Sequence, residues 1–138
     1  MSVGFTGTQK GMTVEQRVAV CELLEGVPAS AKILHEGDCI GADVECCRIA
    51  KALGFRIVCH PPLDSSKRAF FPADETWARR EYMERNQDIA KEARRFLIAT
   101  PCTVEENLRS GTWSTVRRAR RFQRKIIIVF PDGTRRTE

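Results

Sequence analysis

The stretch RSGTWST, residues 109–115, lies between two apolar runs, FLIAT at residues 96–100 and IIIVF at residues 126–130. The runs are typical of buried strands, and the small and hydroxyl-bearing residues between them are typical of a loop that opens a helix. Backbone N–H groups at a helix N-terminus are unpaired and carry partial positive charge, so this loop suits an anion. We predict a phosphate there. The alternative is that Gly111 and Thr112 only turn the chain and cap the helix.

The rest of the chain repeats this alternation of strand, loop and helix. Apolar, β-prone runs predict strands at residues 3–6, 32–35, 56–59, 95–100 and 126–130. Residues 61–77 show neither the hydrophobic period of a strand nor that of a helix, and they lie between the third strand and the third helix. The order predicts an α/β fold: a Rossmann-like, doubly wound parallel sheet of about five strands in a three-layer α/β/α arrangement. We expect residues 1–138 to form a single nucleotide-binding domain.

The first helix carries signals for its start and for its buried face. Thr13 and Gln16 have the spacing of a capping box. Four apolar residues then recur at helical intervals: Val14, Val18, Cys21 and Leu24. This spacing predicts that the four residues form the face that packs on the sheet.

Positive charge is concentrated near the C-terminus. The formal net charge is +5, but residues 109–138 hold nine Lys/Arg against two acids, which leaves −2 for the rest. The last predicted helix carries four arginines on one side: Arg117, Arg118, Arg121 and Arg124. A crossover helix buries one face and exposes the other, so we predict a solvated surface, with a nucleic-acid face as the alternative.

The cysteines and the apolar pattern bear on location and metals. The six cysteines form no C-x-x-C pair, and no apolar leader or membrane-spanning run is present, so we expect a soluble, cytoplasmic protein without a membrane partner. Four potential ligands follow neighbouring strands: His35, Cys39, Cys59 and His60. Their irregular spacing favours buried thiols, and we predict no metal.

Four motifs occur in a familiar order: GFTGT at residues 4–8, HEGDCIGAD at 35–43, RN at 85–86 and GTWST at 111–115. Together they resemble the SLOG superfamily, the Rossmann-like group that joins Smf/DprA with the Lonely Guy proteins. The likeness is greatest to its small cpYpsA-related, YspA-like members and spans most of the chain. It implies a nucleotide or nucleotide-derived ligand at the strand ends, no resident cofactor, and a homodimer.

The motifs and the resemblance predict ten ligand-binding residues: Gly7, Thr8, Gly37, Gly41, Asp43, Arg85, Asn86, Gly111, Thr112 and Thr115. The resemblance implies that Gly37 and Gly41 let the backbone approach the ligand and that Gly111, Thr112 and Thr115 hold its phosphate. Asp43 is either a ribose ligand or a helix cap. Arg85 is either a pocket residue or a surface cation, and the Asn86 amide bonds either nearby backbone or the ligand.

Three functions fit these features, and the chain's status as an enzyme stays open. We predict a nucleotide sensor or binding domain, which needs only phosphate loops and a pocket. The first alternative is an N-glycoside hydrolase or transferase acting on a nucleotide, with Glu36 and Asp43 as the candidate catalytic carboxylates that stabilise an oxocarbenium-like charge. Thr115 stands where Lonely Guy proteins carry a catalytic glutamate. The second alternative is DprA-like nucleic-acid binding through the arginine-rich helix.

Overall fold

A single sheet of seven strands runs through the computed structural model, which describes residues 1–138. The strands are β1 (Val3–Gly7), β2 (Ile33–Glu36), β3 (Arg56–Cys59), β4 (Glu75–Thr76), β5 (Phe96–Thr100), β6 (Ile126–Val129) and β7 (Arg135–Thr137). Their order across the sheet is β4-β3-β2-β1-β5-β6-β7. Every neighbouring pair is parallel except β6 and β7, which are antiparallel.

Four helices cover the two faces of the sheet: α1 (Val14–Glu25), α2 (Ala42–Ala52), α3 (Tyr82–Glu92) and α4 (Gly111–Arg121). Successive residues of β5 point to opposite faces, as the strand period requires. Phe96 and Ile98 pack in the core that includes α1 and α2, whereas Leu97 and Ala99 pack in the core that includes α3 and α4. The predicted Rossmann-like, three-layer α/β/α fold is therefore confirmed.

The strand order reverses between β1 and β5. The strands β2 and β3 lie in succession on one side of β1 in the sheet. The chain then crosses back through α3, so that β5 lies on the other side of β1. In such a sheet the crevice at the carboxyl ends of the two central strands is the usual ligand site. Gly7 of β1 pairs with Thr100 of β5 at that end, so the loops that follow these strands border the crevice.

The sheet has seven strands, and the prediction of about five strands missed both edges. β4 has two exposed residues inside the 61–77 stretch, which also contains a short 3-10 turn at Ser65–Lys67. β7 has the sequence RRT, and each of its three residues is exposed. Neither edge strand buries an apolar face, so neither carries the hydrophobic pattern that reveals a strand in a sequence.

The predicted capping box of α1 is present, and the predicted buried face is correct at Leu24 but wrong at Val14 and Val18. The Thr13 hydroxyl accepts a hydrogen bond from the Gln16 N–H, and the Gln16 side chain accepts one from the Thr13 N–H. Val14 and Val18 are 60% and 53% exposed, whereas Val20 is buried. The buried face also contains Gln16, whose side-chain amide donates to two main-chain carbonyl groups. Because this core position is polar, the spacing of the apolar residues did not indicate the buried face.

None of the helices has both the length and the apolar composition that crossing a membrane requires.

Candidate functional site

A cavity of about 880 Å³ opens at the carboxyl ends of the central strands. Eight of the ten predicted binding residues line it: Gly7, Thr8, Gly37, Asp43, Arg85, Asn86, Gly111 and Thr112. They come from the end of β1 and the loop after it, from the loop after β2, from α2 and α3, and from the start of α4. The volume lies in the range of small-molecule sites. Distant parts of the sequence thus meet at one rim, as the predicted topology requires.

The N-terminus of α4 faces this cavity. The Ser110 hydroxyl caps the helix by accepting a hydrogen bond from the Trp113 N–H at 3.3 Å. The N–H groups of Gly111 and Thr112 have no hydrogen-bond partner within the protein. Apart from the adjacent residues and the backbone of α4 itself, no atom lies within 4 Å of the position that a Cβ at residue 111 would take. The helix end therefore presents two free N–H donors to open space, which is the geometry of an anion site.

Two predicted binding residues, Thr115 and Gly41, do not line the cavity. Thr115 is fully buried, and its hydroxyl donates to the Gly111 carbonyl oxygen one helical turn earlier, at 3.1 Å. Gly41 has a φ of 86°, and a side chain there would overlap the backbone of Gln9. Thr115 therefore serves the helix and Gly41 serves loop packing, which corrects their assignment as ligand contacts.

Gly37 lines the cavity but makes room for a protein side chain. A Cβ at residue 37 would lie 2.5 Å from the Arg85 guanidinium. The Arg85 side chain is buried and donates to the carbonyl oxygens of Gly37 and His60 and to the Asn86 Oδ1 atom. Arg85 thus ties α3 to the loops after β2 and β3, so it is a buried structural cation and not a surface one. The side-chain N–H₂ of Asn86 has no protein partner and lies at the cavity wall.

Asp43 is the only carboxylate that lines the cavity. Burial raises its pKa to about 6, while the nearby Arg85 guanidinium and the backbone N–H groups of Cys39 and Gly37 oppose that rise. The Cys39 N–H donates to Asp43 Oδ2 at 3.1 Å. Asp43 therefore fixes the loop ahead of α2 and changes its charge near neutral pH.

Glu36, the other predicted catalytic carboxylate, lies outside the cavity. Its side chain is 1% exposed, one oxygen accepts from the Asp38 N–H, and the other has no partner. Burial raises the pKa of Glu36 well above its usual range, with the Asp43 charge adding to the rise. Asp38 in turn accepts from Arg68 and from the Phe71 N–H, which holds the 61–77 stretch against the sheet. Glu36 therefore belongs to the core and has no access to a ligand in the cavity.

The four residues considered as metal ligands do not form one cluster. His35 Nδ1 and His60 Nε2 are 2.8 Å apart and share a hydrogen bond, and both rings pack near Trp77. Burial lowers the pKa of both histidines, that of His60 to about 3, with His35 and Arg85 adding to the effect on His60. The potential ligand atoms that do lie together, within 4.8 Å, belong to Glu36, Asp38 and Cys59.

The arginines of α4 are not simply a solvated surface, which corrects the sequence interpretation. Arg117, Arg118 and Arg121 line the cavity. Arg120 instead pairs with Glu106 and Glu138 on the outer side of the helix. Further lining residues carry no motif and were missed, among them Tyr82, Met83, Cys102 and Leu108. Only the spacing of residues 114, 118 and 121 at helical intervals could have indicated a common wall.

No family model and no curated protein matches this sequence. Two solved structures share its fold. The molybdenum cofactor binding protein from the phototrophic bacterium Rippkaea orientalis has a TM-score of 0.70 and 17% identity, over 94% of this chain and 76% of that one. The molybdenum cofactor carrier protein from Chlamydomonas reinhardtii has a TM-score of 0.63 and 17% identity, over 92% of this chain and 74% of that one.

These comparisons correct the functional predictions. Both structural neighbours are described by the molybdenum cofactor that they bind or carry, and neither is described as a nucleotide sensor, an N-glycoside hydrolase or a DNA-binding protein. The three predicted functions are therefore wrong. The catalytic role predicted for Glu36 and Asp43 depends on the hydrolase function and is corrected with it. The resemblance to the SLOG superfamily stays a prediction.

Proposed function

We propose that this chain binds the molybdenum cofactor in the cavity at the carboxyl ends of β1 and β5, with an anionic group of the cofactor on the N-terminus of α4. One observation carries the proposal. The chain combines the fold of two proteins described by that cofactor with a cavity of about 880 Å³ at the position where such sheets bind ligands. The activity proposed is binding and release, with no bond made or broken.

The chemistry of the cavity suits a nucleotide-like molecule in which a pterin takes the place of the base. Such a molecule has a phosphate and a flat ring. The free N–H groups of Gly111 and Thr112 are donors for the phosphate. Tyr82, Met83 and Leu108 supply apolar surface at the cavity wall, and Met83 and Leu108 are 66% and 84% exposed. A flat ring lying on these side chains would cover them.

The test is a binding measurement with cofactor released from a molybdoenzyme. Wild-type protein is incubated with the cofactor under anaerobic conditions and separated by gel filtration, and molybdenum and pterin are then measured in the protein fraction. We expect both to elute with the protein. The Gly111→Val variant should lose at least about tenfold in affinity, because residue 111 lines the cavity and the added side chain would take space from the ligand.

Gly26→Val is the matched control, since residue 26 lies outside the cavity and a Cβ there has no neighbour closer than 3.6 Å. This variant should bind as the wild type does. Failure of the folded wild type to retain cofactor would refute the proposal. Full binding by a folded Gly111→Val variant would refute the position given to the anionic group.

A further inference from the structure

The cavity contains far more positive than negative charge. Six cationic side chains line it: Lys10, Arg85, Arg109, Arg117, Arg118 and Arg121. Asp43 is their only acidic counterpart in the lining. Arg85 donates to the carbonyl oxygens of Gly37 and His60 and to the Asn86 side chain, and Arg117 pairs with Glu106. The charge of Arg118 and Arg121 is balanced by no ion pair within the protein.

Arg118 has unused donors of a particular geometry. Its Nη1 atom donates to the hydroxyl and carbonyl oxygens of Ser114, at 2.8 and 3.3 Å. Its Nε atom is buried without a hydrogen-bond partner, and no partner is found for Nη2. Nε and Nη2 form one edge of the guanidinium plane, which matches two oxygens of an oxyanion. Ser114 thus fixes one side of Arg118 and leaves its bidentate edge unpaired.

The neighbouring charges of α4 disfavour this arrangement in the absence of an anion. Burial lowers the pKa of the Arg118 guanidinium, and the positive charges of Arg121 and Arg117 lower it further. Like charges at helical spacing repel one another. An anion at the accessible part of the Arg118 and Arg121 side chains would offset this repulsion.

We propose that the cavity contains a second oxyanion subsite, formed by Arg118 and Arg121 on the wall of α4 and separate from the free N–H groups at the start of that helix. Residues 111 and 118 are seven positions apart, about 10 Å along the helix, but the contact with Ser114 brings the Arg118 guanidinium about one turn closer to the start of α4, so the two subsites lie about 5 Å apart along the helix. This inference rests on the proposed function and adds to it: the ligand carries two oxyanionic groups at that separation. The second group is either another phosphate or the oxygen-bearing metal group.

Tungstate is the probe for the two subsites, because it is a heavy oxyanion that anomalous scattering locates in crystals. Wild-type crystals soaked in tungstate should show two sites, one at the Gly111 and Thr112 N–H groups and one at Arg118. Crystals of Arg118→Gln should keep the first site and lose the second. The matched control is Arg120→Gln, which removes the same charge from the outer side of the same helix and should keep both.

Cofactor affinity gives the second readout. We expect Arg118→Gln to weaken binding at least about tenfold, with no change for Arg120→Gln. Arg121→Gln is an independent variant, because residue 121 is exposed and its replacement leaves the core intact. Comparing cofactor with its metal-free form identifies the second group. If Arg118→Gln weakens the binding of both forms, the second group is a phosphate. If it weakens only the binding of the metal-containing form, the second group is the metal–oxygen group.

Two results would overturn the second subsite: a single tungstate in wild-type crystals, or unchanged cofactor affinity in both Arg118→Gln and Arg121→Gln. These results differ from failure of the proposed function. If wild type binds two tungstates but no cofactor, the subsite stands and the cofactor assignment falls.

Discussion

At the residue scale, the charges around Asp43 and Arg85 explain how the loop after β2 is held. Arg85 neutralises part of the field of the buried Asp43 and occupies the space that Gly37 leaves free. The carboxylate in turn accepts the Cys39 N–H. Because these groups line the cavity, the same contacts that fix the loop also set its electrostatic potential.

Asp43 should give the protein a characteristic pH dependence. Its pKa rises from an ordinary 3.8 to about 6 on folding, so the folded chain holds the proton more tightly than the unfolded chain. The stability that this proton contributes is complete below pH 3.8 and is lost as the pH rises through about 6. We expect Asp43→Asn, which has no such titration, to gain about 2–3 kcal/mol relative to wild type between pH 4 and pH 7.

The measurement is urea unfolding of both proteins across that pH range. Asp132→Asn is the control, because Asp132 is exposed and the hydrogen bonds of Thr134 lower its pKa instead of raising it. A difference between Asp43→Asn and wild type that stays constant with pH would contradict the raised pKa.

At the element scale, α1 and α4 show two ways in which a helix departs from its simple pattern. In α1 the buried glutamine donates to the carbonyl oxygens of Pro101 and Val129, so a polar side chain joins the helix to the ends of β5 and β6. In α4 the polar side carries arginines that line a cavity as well as arginines that pair with surface acids. A helical wheel sorts residues by polarity, but only the neighbours decide what each face contacts.

A pair of identical substitutions tests the orientation of α1. Val20→Ala removes two buried methyl groups and should lower the free energy of unfolding by about 1–3 kcal/mol. Val18→Ala removes the same groups from a side chain that is 53% exposed and should change it by less than about 0.5 kcal/mol. Chemical denaturation measures both values. Equal losses, or a larger loss for Val18→Ala, would show that the helix is rotated from the orientation described here.

At the scale of the whole molecule, the crossover from β3 through α3 to β5 creates the site. It places α3 and α4 together on one face and leaves the crevice between β1 and β5 uncovered at the carboxyl end. Residues that are as far apart in sequence as Gly7 and Gly111 then border the same cavity. Ligand binding should therefore stabilise several segments at once.

Hydrogen exchange should report this convergence. With cofactor at 100 times its Kd, we expect roughly hundredfold slower exchange at protected amides in three segments: residues 7–11, 37–43 and 107–115. Residues 26–32, which connect α1 to the opposite end of β2, serve as the internal reference and should change less. Slowing confined to one of the three segments would contradict a shared site.

The sequence by itself determined the architecture and indicated the helix end that we propose as the anion site. Buried central strands such as β5 and β6 are continuous apolar runs, and their alternation with helices leaves few topologies open. The stretch at residues 109–115, which contains the start of α4, has the small residues and the cap that a free helix N-terminus needs. These features are local, because each depends on residues within one or two elements.

Only the tertiary structure decided which polar residues reach the cavity. Glu36 and Asp43 lie at neighbouring strand and helix ends, yet only Asp43 lines the cavity. Gly37 and Gly41 proved to accommodate Arg85 and the Gln9 backbone, and Arg118 proved to be a wall residue. Burial, and the distance to side chains from other elements, fix such roles. Those quantities follow from how the elements pack and are not encoded in the spacing of residues along the chain.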